Sequence, residues 1–341
     1  MFKLKALTRL AAVVSGLAVV FGAAAPPVRA EITEVRIAQQ FGLAYLPLIV
    51  ARNQKFIEKR AAEAGISDLK VNWVRLGSGA AVNDALLSGS IEFGAAGLGP
   101  LFTLWDKTRT NLGVRAVVAL DASALFLNVN RPDLKTLADI KDSDRIALPA
   151  VKVSHQAVLL RMAAEQAFGP GQHERLDRFT VTLPHPEAHV ALLSGKTEVT
   201  GHFGNSPFSY QQLDQAGIHR LLSSEDILGG LGTVTSVITT AKVREANPKV
   251  YRAVIEGLRD AQALIARDKA LAARLFVEEE KSSLTADYIR GVLEKPAMRY
   301  SAVPVNTAKF GDFMFRTGVL KTRPGTWQDY FFPEIHDQPG S

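Results

Sequence analysis

Apolar and polar positions change period several times along the chain. EVRIAQQ (34–40) and LKVNWVRL (69–76) alternate with a period of two and predict strands. Between them FGLAYLPLIVARNQKFIEK (41–59) opens as a loop and becomes a helix with Pro47 near its start. GSG (77–79) then reads as a loop and AAVNDALLS (80–88) as a helix. The order recurs later: DRIALPAV (144–151) as strand, KVS as loop, and HQAVLLRMAAEQAFG (155–169) as a helix with Val158, Leu159, Met162 and Ala163 on one stripe. RFTVTL, PHPE and AHVALLS follow as strand, loop and helix. Helices alternating with strands predict an α/β architecture of mostly parallel sheets with right-handed crossovers.

The pentapeptide ALLSG ends a predicted helix in both halves, at 85–89 and 191–195. Each copy leads through a glycine stop into a short Glu-containing strand and a loop closed by proline. Two similarly built lobes are therefore expected. In such sheets ligands collect beyond the carboxyl ends of the strands. The loops there are 39–47, 77–79 and 97–100 in one lobe, and 149–155, 184–187 and 202–207 in the other.

Two segments join the lobes: the apolar runs around Asp121, and a glycine-rich turn followed by the β-branched run TVTSVITT. The first lobe is thus expected at 31–121 plus 235–341, the second at 122–234, with the paired crossings as a hinge. The last third reads as helical and structural. Asn247 is the expected cap, Pro248 opens the helix, and Val250, Tyr251, Val254, Ile255 and Leu258 recur at helical spacing.

Composition changes this picture at the N-terminus. Lys3, Lys5 and Arg9, a short apolar run and Val28-Arg29-Ala30 have the anatomy of a signal peptide over residues 1–30, which implies export and a periplasmic location. Without that leader, 36 basic residues stand against 34 acidic ones, and the basics are scattered, so no nucleic-acid partner is expected. The absence of cysteine excludes disulfides, thiol catalysis and cysteine-ligated metal.

Taken in order, FGLAYLPLIVARNQKF, VNWVRLGSGAAVNDALLSGSIEFGAAGLGP, LKTLADIKDSDRIALPAVKVSHQAVLL and HVALLSGKTEVTGHFGNSPF resemble the substrate-binding proteins of ABC importers for nitrate, sulfonates and taurine, and their relatives for thiamine pyrimidine precursors. The resemblance spans nearly the whole chain after residue 30. It implies a type II periplasmic-binding-protein fold, a monomer closing on one small polar, anionic solute, and delivery to a membrane permease driven by an ATPase. Many relatives carry a Trp-acid pair before the proline that closes the last loop of the second lobe. Here Asn205-Ser206 precede Pro207, so a ligand amine has no acidic partner and taurine itself fits poorly.

The candidate ligand residues follow from the loops. Gln39, Gln40 and Tyr45 offer neutral donors and acceptors. Ser78-Gly79 and Ser154-His155 open helices, and helix starts hold oxyanions through free N–H groups, whereas Gly97-Leu98 lie in a glycine loop that lets a ligand approach the backbone closely or forms a plain turn. His202, Phe203 and Asn205 come from the facing loop. An unperturbed His155 would titrate near pH ~6.5 and donate to an anion in its protonated form. Lys152 is the nearest basic residue. HPEAH (185–189) reads as a solvated loop rather than a metal site, because Pro186 interrupts the helical His spacing and the acid is misplaced. No acid–base pair, nucleophile elbow or phosphate loop appears, so neither catalysis nor a cofactor is expected; an enzyme of the same fold acting on a pyrimidine is the alternative.

Overall fold

A computed structural model describes residues 30–341; the proposed signal peptide lies outside the described residues, apart from Ala30. Ten strands form two five-stranded sheets. The first holds β1 (Glu34–Gln39), β2 (Lys70–Arg75), β3 (Phe93–Gly97), β4 (Arg115–Ala119) and β10 (Thr235–Thr239) in the order β2-β1-β3-β10-β4. The second holds β5 (Phe126–Val129), β6 (Arg145–Leu148), β7 (Thr180–Thr182), β8 (Val199–Gly204) and β9 (His219–Ser223) in the order β7-β6-β8-β5-β9. The orders match strand for strand. In each sheet one strand from the other half of the sequence runs antiparallel to its neighbours: β10 against β3 and β4, β5 against β8 and β9.

The repeated ALLSG occupies equivalent places. It ends the helix Gly79–Leu87 between β2 and β3, and the helix His185–Ser194 between β7 and β8. Gly89 and Gly195 both adopt positive φ, 72° and 59°, the left-handed stop that glycine reaches without a Cβ clash.

Three apolar clusters hold these layers. One packs the first sheet against the helices Leu46–Gln54, Pro248–Arg267 and Lys269–Glu280. A small one lies under the helix His185–Ser194. The largest runs between the two sheets, through the helices Leu98–Thr108, His155–Phe168 and Ala308–Arg316 and the closing aromatics Trp327, Tyr330 and Phe331. The expected stripe of Val250, Tyr251, Val254, Ile255 and Leu258 is buried.

Asn247 does not cap that helix with its side chain. Its carboxamide accepts from the Ile32 N–H at 3.0 Å and donates to the Val243 carbonyl at 3.0 Å. The cap comes from Glu31, whose carboxylate accepts from the N–H groups of Lys249 and Val250 at 2.8–3.0 Å. An acid at a helix N-terminus also meets the favourable end of the dipole.

Where the chain leaves the first sheet for the second, Asp121 is fully buried and accepts the Thr235 N–H at 3.1 Å through Oδ1. Beside it the Leu120 N–H donates to the Thr235 carbonyl at 2.9 Å and the Val234 N–H to the Asp121 carbonyl at 3.2 Å. Burial raises the Asp121 carboxyl to about 7. Because the folded value lies above the unfolded one, stability is fully present below pH ~4 and is lost as pH rises through about 7. Asp121→Asn keeps an oxygen for Thr235 and removes the charge. Its melting temperature relative to wild type should therefore rise steadily from pH 4 to pH 7 and level off above. A constant difference across that range would show that the carboxyl keeps its ordinary pKa.

Candidate functional site

The carboxyl ends of the central strands of both sheets deliver their loops to one place. A cavity of ≈ 20 Å³ lies there, room for about one water. The first sheet's side supplies Gln40, Tyr45, Gly79, Gly97 and Pro100; the second supplies Pro149, Ser154, His155, Gln156, His185 and Asn205. Val234 and Thr235, from the return crossing, complete the lining. None of these side chains is an Asp, Glu, Lys or Arg.

Helix N-termini converge on this cavity, among them those of Gly79–Leu87, Leu98–Thr108 and His155–Phe168. Ser78 caps the helix Gly79–Leu87 by accepting from the Ala81 N–H at 3.2 Å. Ser154 caps the helix His155–Phe168 by accepting from the Ala157 N–H at 3.1 Å. The helix Leu98–Thr108 lacks a side-chain cap at Gly97. Its Leu98 N–H instead donates to His155 Nδ1 at 3.2 Å, which joins the two halves across the cavity. Since Nδ1 accepts, the neutral ring carries its hydrogen on Nε2. The ring stacks on Phe310, with centroids 4.6 Å apart.

That geometry corrects the expectation of a cationic His155. Burial with no carboxylate partner pushes its pKa down to about 3, so the imidazole is neutral at physiological pH. Lys152 is exposed and outside the lining. Burial also raises the Tyr45 hydroxyl, which stays protonated.

The other candidates divide by position. Gln40, Tyr45, Gly79, Gly97, Ser154, His155 and Asn205 line the cavity. Gln39 is buried beside it, with neither carboxamide atom partnered. Ser78 sits at the adjoining helix start, and the N–H of Leu98 is used by His155. His202 and Phe203, both fully buried, stand behind the lining; Phe203 is core. Gln40 donates to the Ala95 carbonyl at 3.1 Å and Asn205 to the Phe41 carbonyl at 2.9 Å.

Sequence reasoning missed Gln156 and His185. The reading of HPEAH as a solvated loop is overturned: His185 begins a helix, is 5% exposed and lines the cavity. Pro186 at the second helical position looked like a break and is instead an ordinary helix opener. Gln156 left no signal, being one polar residue inside an apolar helix. Among the described residues, no group of three or more potential metal ligands comes together.

Further contacts join the two halves: the Leu43 N–H donates to the Ser206 carbonyl at 2.7 Å beside the cavity, and at the surface the Tyr288 hydroxyl donates to Asp214 at 2.5 Å. At Gly99 an added Cβ would stand 2.6 Å from the Val153 carbonyl oxygen, a backbone atom of the facing segment.

Two mixed α/β sheets of matching order, exchanging one strand each and enclosing a cavity at their carboxyl ends, define the periplasmic-binding-protein fold. The sequence profile of the NMT1-like family matches residues 29–276, and the chain belongs to that family. Its structure is similar to that of the alkanesulfonate-binding protein SsuA from Xanthomonas axonopodis pv. citri bound to MOPS, with a TM-score of 0.67 at 19% identity over 86% of this chain and 96% of that one. The periplasmic aliphatic sulphonate binding protein SsuA of Escherichia coli gives 0.63 at 21% identity, covering 86% and 90%. The periplasmic nitrate-binding protein NrtA of Synechocystis PCC 6803 gives 0.68 at 16% identity, covering 86% and 83%. No curated protein sequence matches the chain.

The contact at Gly99 yields a test. Gly99→Ala sets a methyl against a backbone oxygen that cannot rotate away, so the halves must separate locally. Overpacking of this kind costs about 1–3 kcal/mol. Gly99→Ala should lower the melting temperature and increase the radius of gyration in solution scattering. A scattering curve superimposable on wild type would show that the contact relaxes without opening.

Proposed function

We propose that this protein is the exported solute-binding component of an ABC importer, and that its cavity takes a small polar anion of the sulfonate or nitrate class. The observation that carries this reading is the convergence of helix N-termini on a buried space lined without a formal charge. Free N–H groups and the positive ends of helix dipoles favour an anion there without a buried cation. Membership of the NMT1-like family and the shared fold support the transport role.

In this reading residues 31–121 and 235–341 form one lobe and 122–234 the other, hinged at the crossings near Asp121 and Thr235. Residues 1–30 direct the chain to the periplasm, where it acts as a monomer. A cavity of ≈ 20 Å³ has room for about one water, so in this reading the lobes open to load and close less far around the solute. The closed form is what the permease and its ATPase receive, and ligand selects it by bridging both lobes.

A thermal-shift screen with nitrate, alkanesulfonates, small carboxylates and pyrimidines tests the proposal. Ligand at 100 times its Kd should stabilise the protein by about 2.7 kcal/mol. Lys152→Met should keep most of the response of whichever anion binds and mainly reduce its salt dependence, since Lys152 lies outside the lining. No shift with any anion, together with turnover of a pyrimidine, would favour an enzyme of the same fold.

A further inference from the structure

A chain of buried polar side chains leads from the cavity into the second sheet. The Gln156 carboxamide lies 3.2 Å from His185 Nε2. His185 Nδ1 lies 2.9 Å from His202 Nε2, and His202 Nδ1 lies 2.7 Å from the Gln212 carboxamide nitrogen. Gln212 Oε1 accepts from Asn128 Nδ2 at 3.1 Å, and the same nitrogen donates to the Ser209 carbonyl at 2.8 Å. All five side chains are buried. Asn128 and His202 are paired neighbours on β5 and β8, and an added Cβ at Gly204 would stand 2.7 Å from the His202 ring, so the strand is shaped around this imidazole.

The Asn128 end fixes the direction of every bond. A backbone carbonyl only accepts, so the Asn128 atom facing Ser209 is its nitrogen. That nitrogen requires oxygen from Gln212, which turns the Gln212 nitrogen toward His202. His202 Nδ1 therefore accepts. Desolvation keeps both rings neutral, and a neutral imidazole has a single N–H. His202 then carries hydrogen on Nε2 and donates to His185 Nδ1. His185 in turn carries hydrogen on Nε2 and donates to Gln156. A carboxamide nitrogen cannot receive that hydrogen, whereas its oxygen can. As placed, Gln156 turns Nε2 to His185; nitrogen and oxygen of an amide are told apart by their bonds, and the relay requires the opposite turn.

We propose that the relay Asn128–Gln212–His202–His185 makes Gln156 a specificity-determining residue, holding its carboxamide oxygen on His185 and presenting its NH₂ to the cavity, where it meets an acceptor oxygen of the ligand. This rests on the solute-binding reading above and deepens it. The second half then offers a donor face from Gln156, and a ligand that turns an ammonium or N–H toward it is rejected by two opposed donors.

Two measurements test this separately from the transport reading. The first needs no ligand: long-range ¹⁵N–¹H spectra distinguish the two neutral histidine tautomers. His185 and His202 should both carry hydrogen on Nε2 at pH 7. Hydrogen on Nδ1 of either ring, or an imidazolium, would overturn the relay. Gln212→Glu places an accepting carboxylate where the Gln212 nitrogen donates, and should move the hydrogen to Nδ1 in both rings. If that variant does not fold, the wild-type spectrum still decides.

The second measurement is calorimetry with methanesulfonate. Gln156→Glu, which replaces the donor by a like charge, should weaken binding at least tenfold, and Gln156→Met several-fold. Methanesulfonate binding unchanged in both variants would sink the role of Gln156 and leave the solute-binding reading standing. If wild type binds none of the screened anions, that reading fails, and the tautomers alone then judge the relay.

Discussion

Helix starts that face one another are the constraint on which the site depends. The helices Leu98–Thr108 and His155–Phe168 bring N-termini together across the cavity, and Gly79–Leu87 adds a third. Like ends of helix dipoles repel, and each N-terminus leaves N–H groups without intrahelical partners. Such an arrangement persists only where acceptors reach those groups. Ser78 and Ser154 serve their own helices, and the lone pair of His155 Nδ1 serves the neighbouring one. His155 is therefore needed neutral: protonation at Nδ1 would turn the one acceptor between two donor-rich ends into another donor. Its place between Phe310 and buried backbone lowers its pKa in the required direction.

The same constraint explains why a segment remote in sequence belongs to the site. Phe310 comes from the helical last third, which looked purely structural, yet its ring backs His155. The helix Ala308–Arg316 also joins the apolar cluster that runs between the two sheets. That cluster makes the closed arrangement a packed one, while the polar lining is confined to a small interior volume. Apolar burial supplies the hold, and the uncharged polar groups supply direction.

What could be read from the residues was what depends on local pattern. Alternation gave the strands, the ALLSG copies gave equivalent helix ends, and loops at carboxyl ends located the cavity, because period and glycine stops act over a few residues. What could not be read depends on distant partners. Glu31 caps a helix that starts at Pro248, and nothing near Asn247 announces that its carboxamide is taken by Ile32. His185 looked solvated because Pro186 follows it, although proline is welcome in a first turn. Gln156 and His202 gained meaning only when β5, β8 and two helices met around them.

An uncharged lining also couples recognition to closure. A buried arginine would attract an anion at a distance, but without a partner it would remain a desolvated charge whenever the site lacked one. Neutral donors avoid that penalty, and they hold an anion well only once water is excluded and the local dielectric falls. In the proposed reading the strength of the site therefore develops as the halves come together. In that reading the hinge lies at the crossings, whose hydrogen bonds are mostly backbone bonds between adjacent segments. Within them Asp121 is the one fully buried carboxylate, tied through Oδ1 to the opposite crossing at Thr235. That side-chain bond reinforces the backbone bonds between the same two crossings, so separating them would break all of these contacts together.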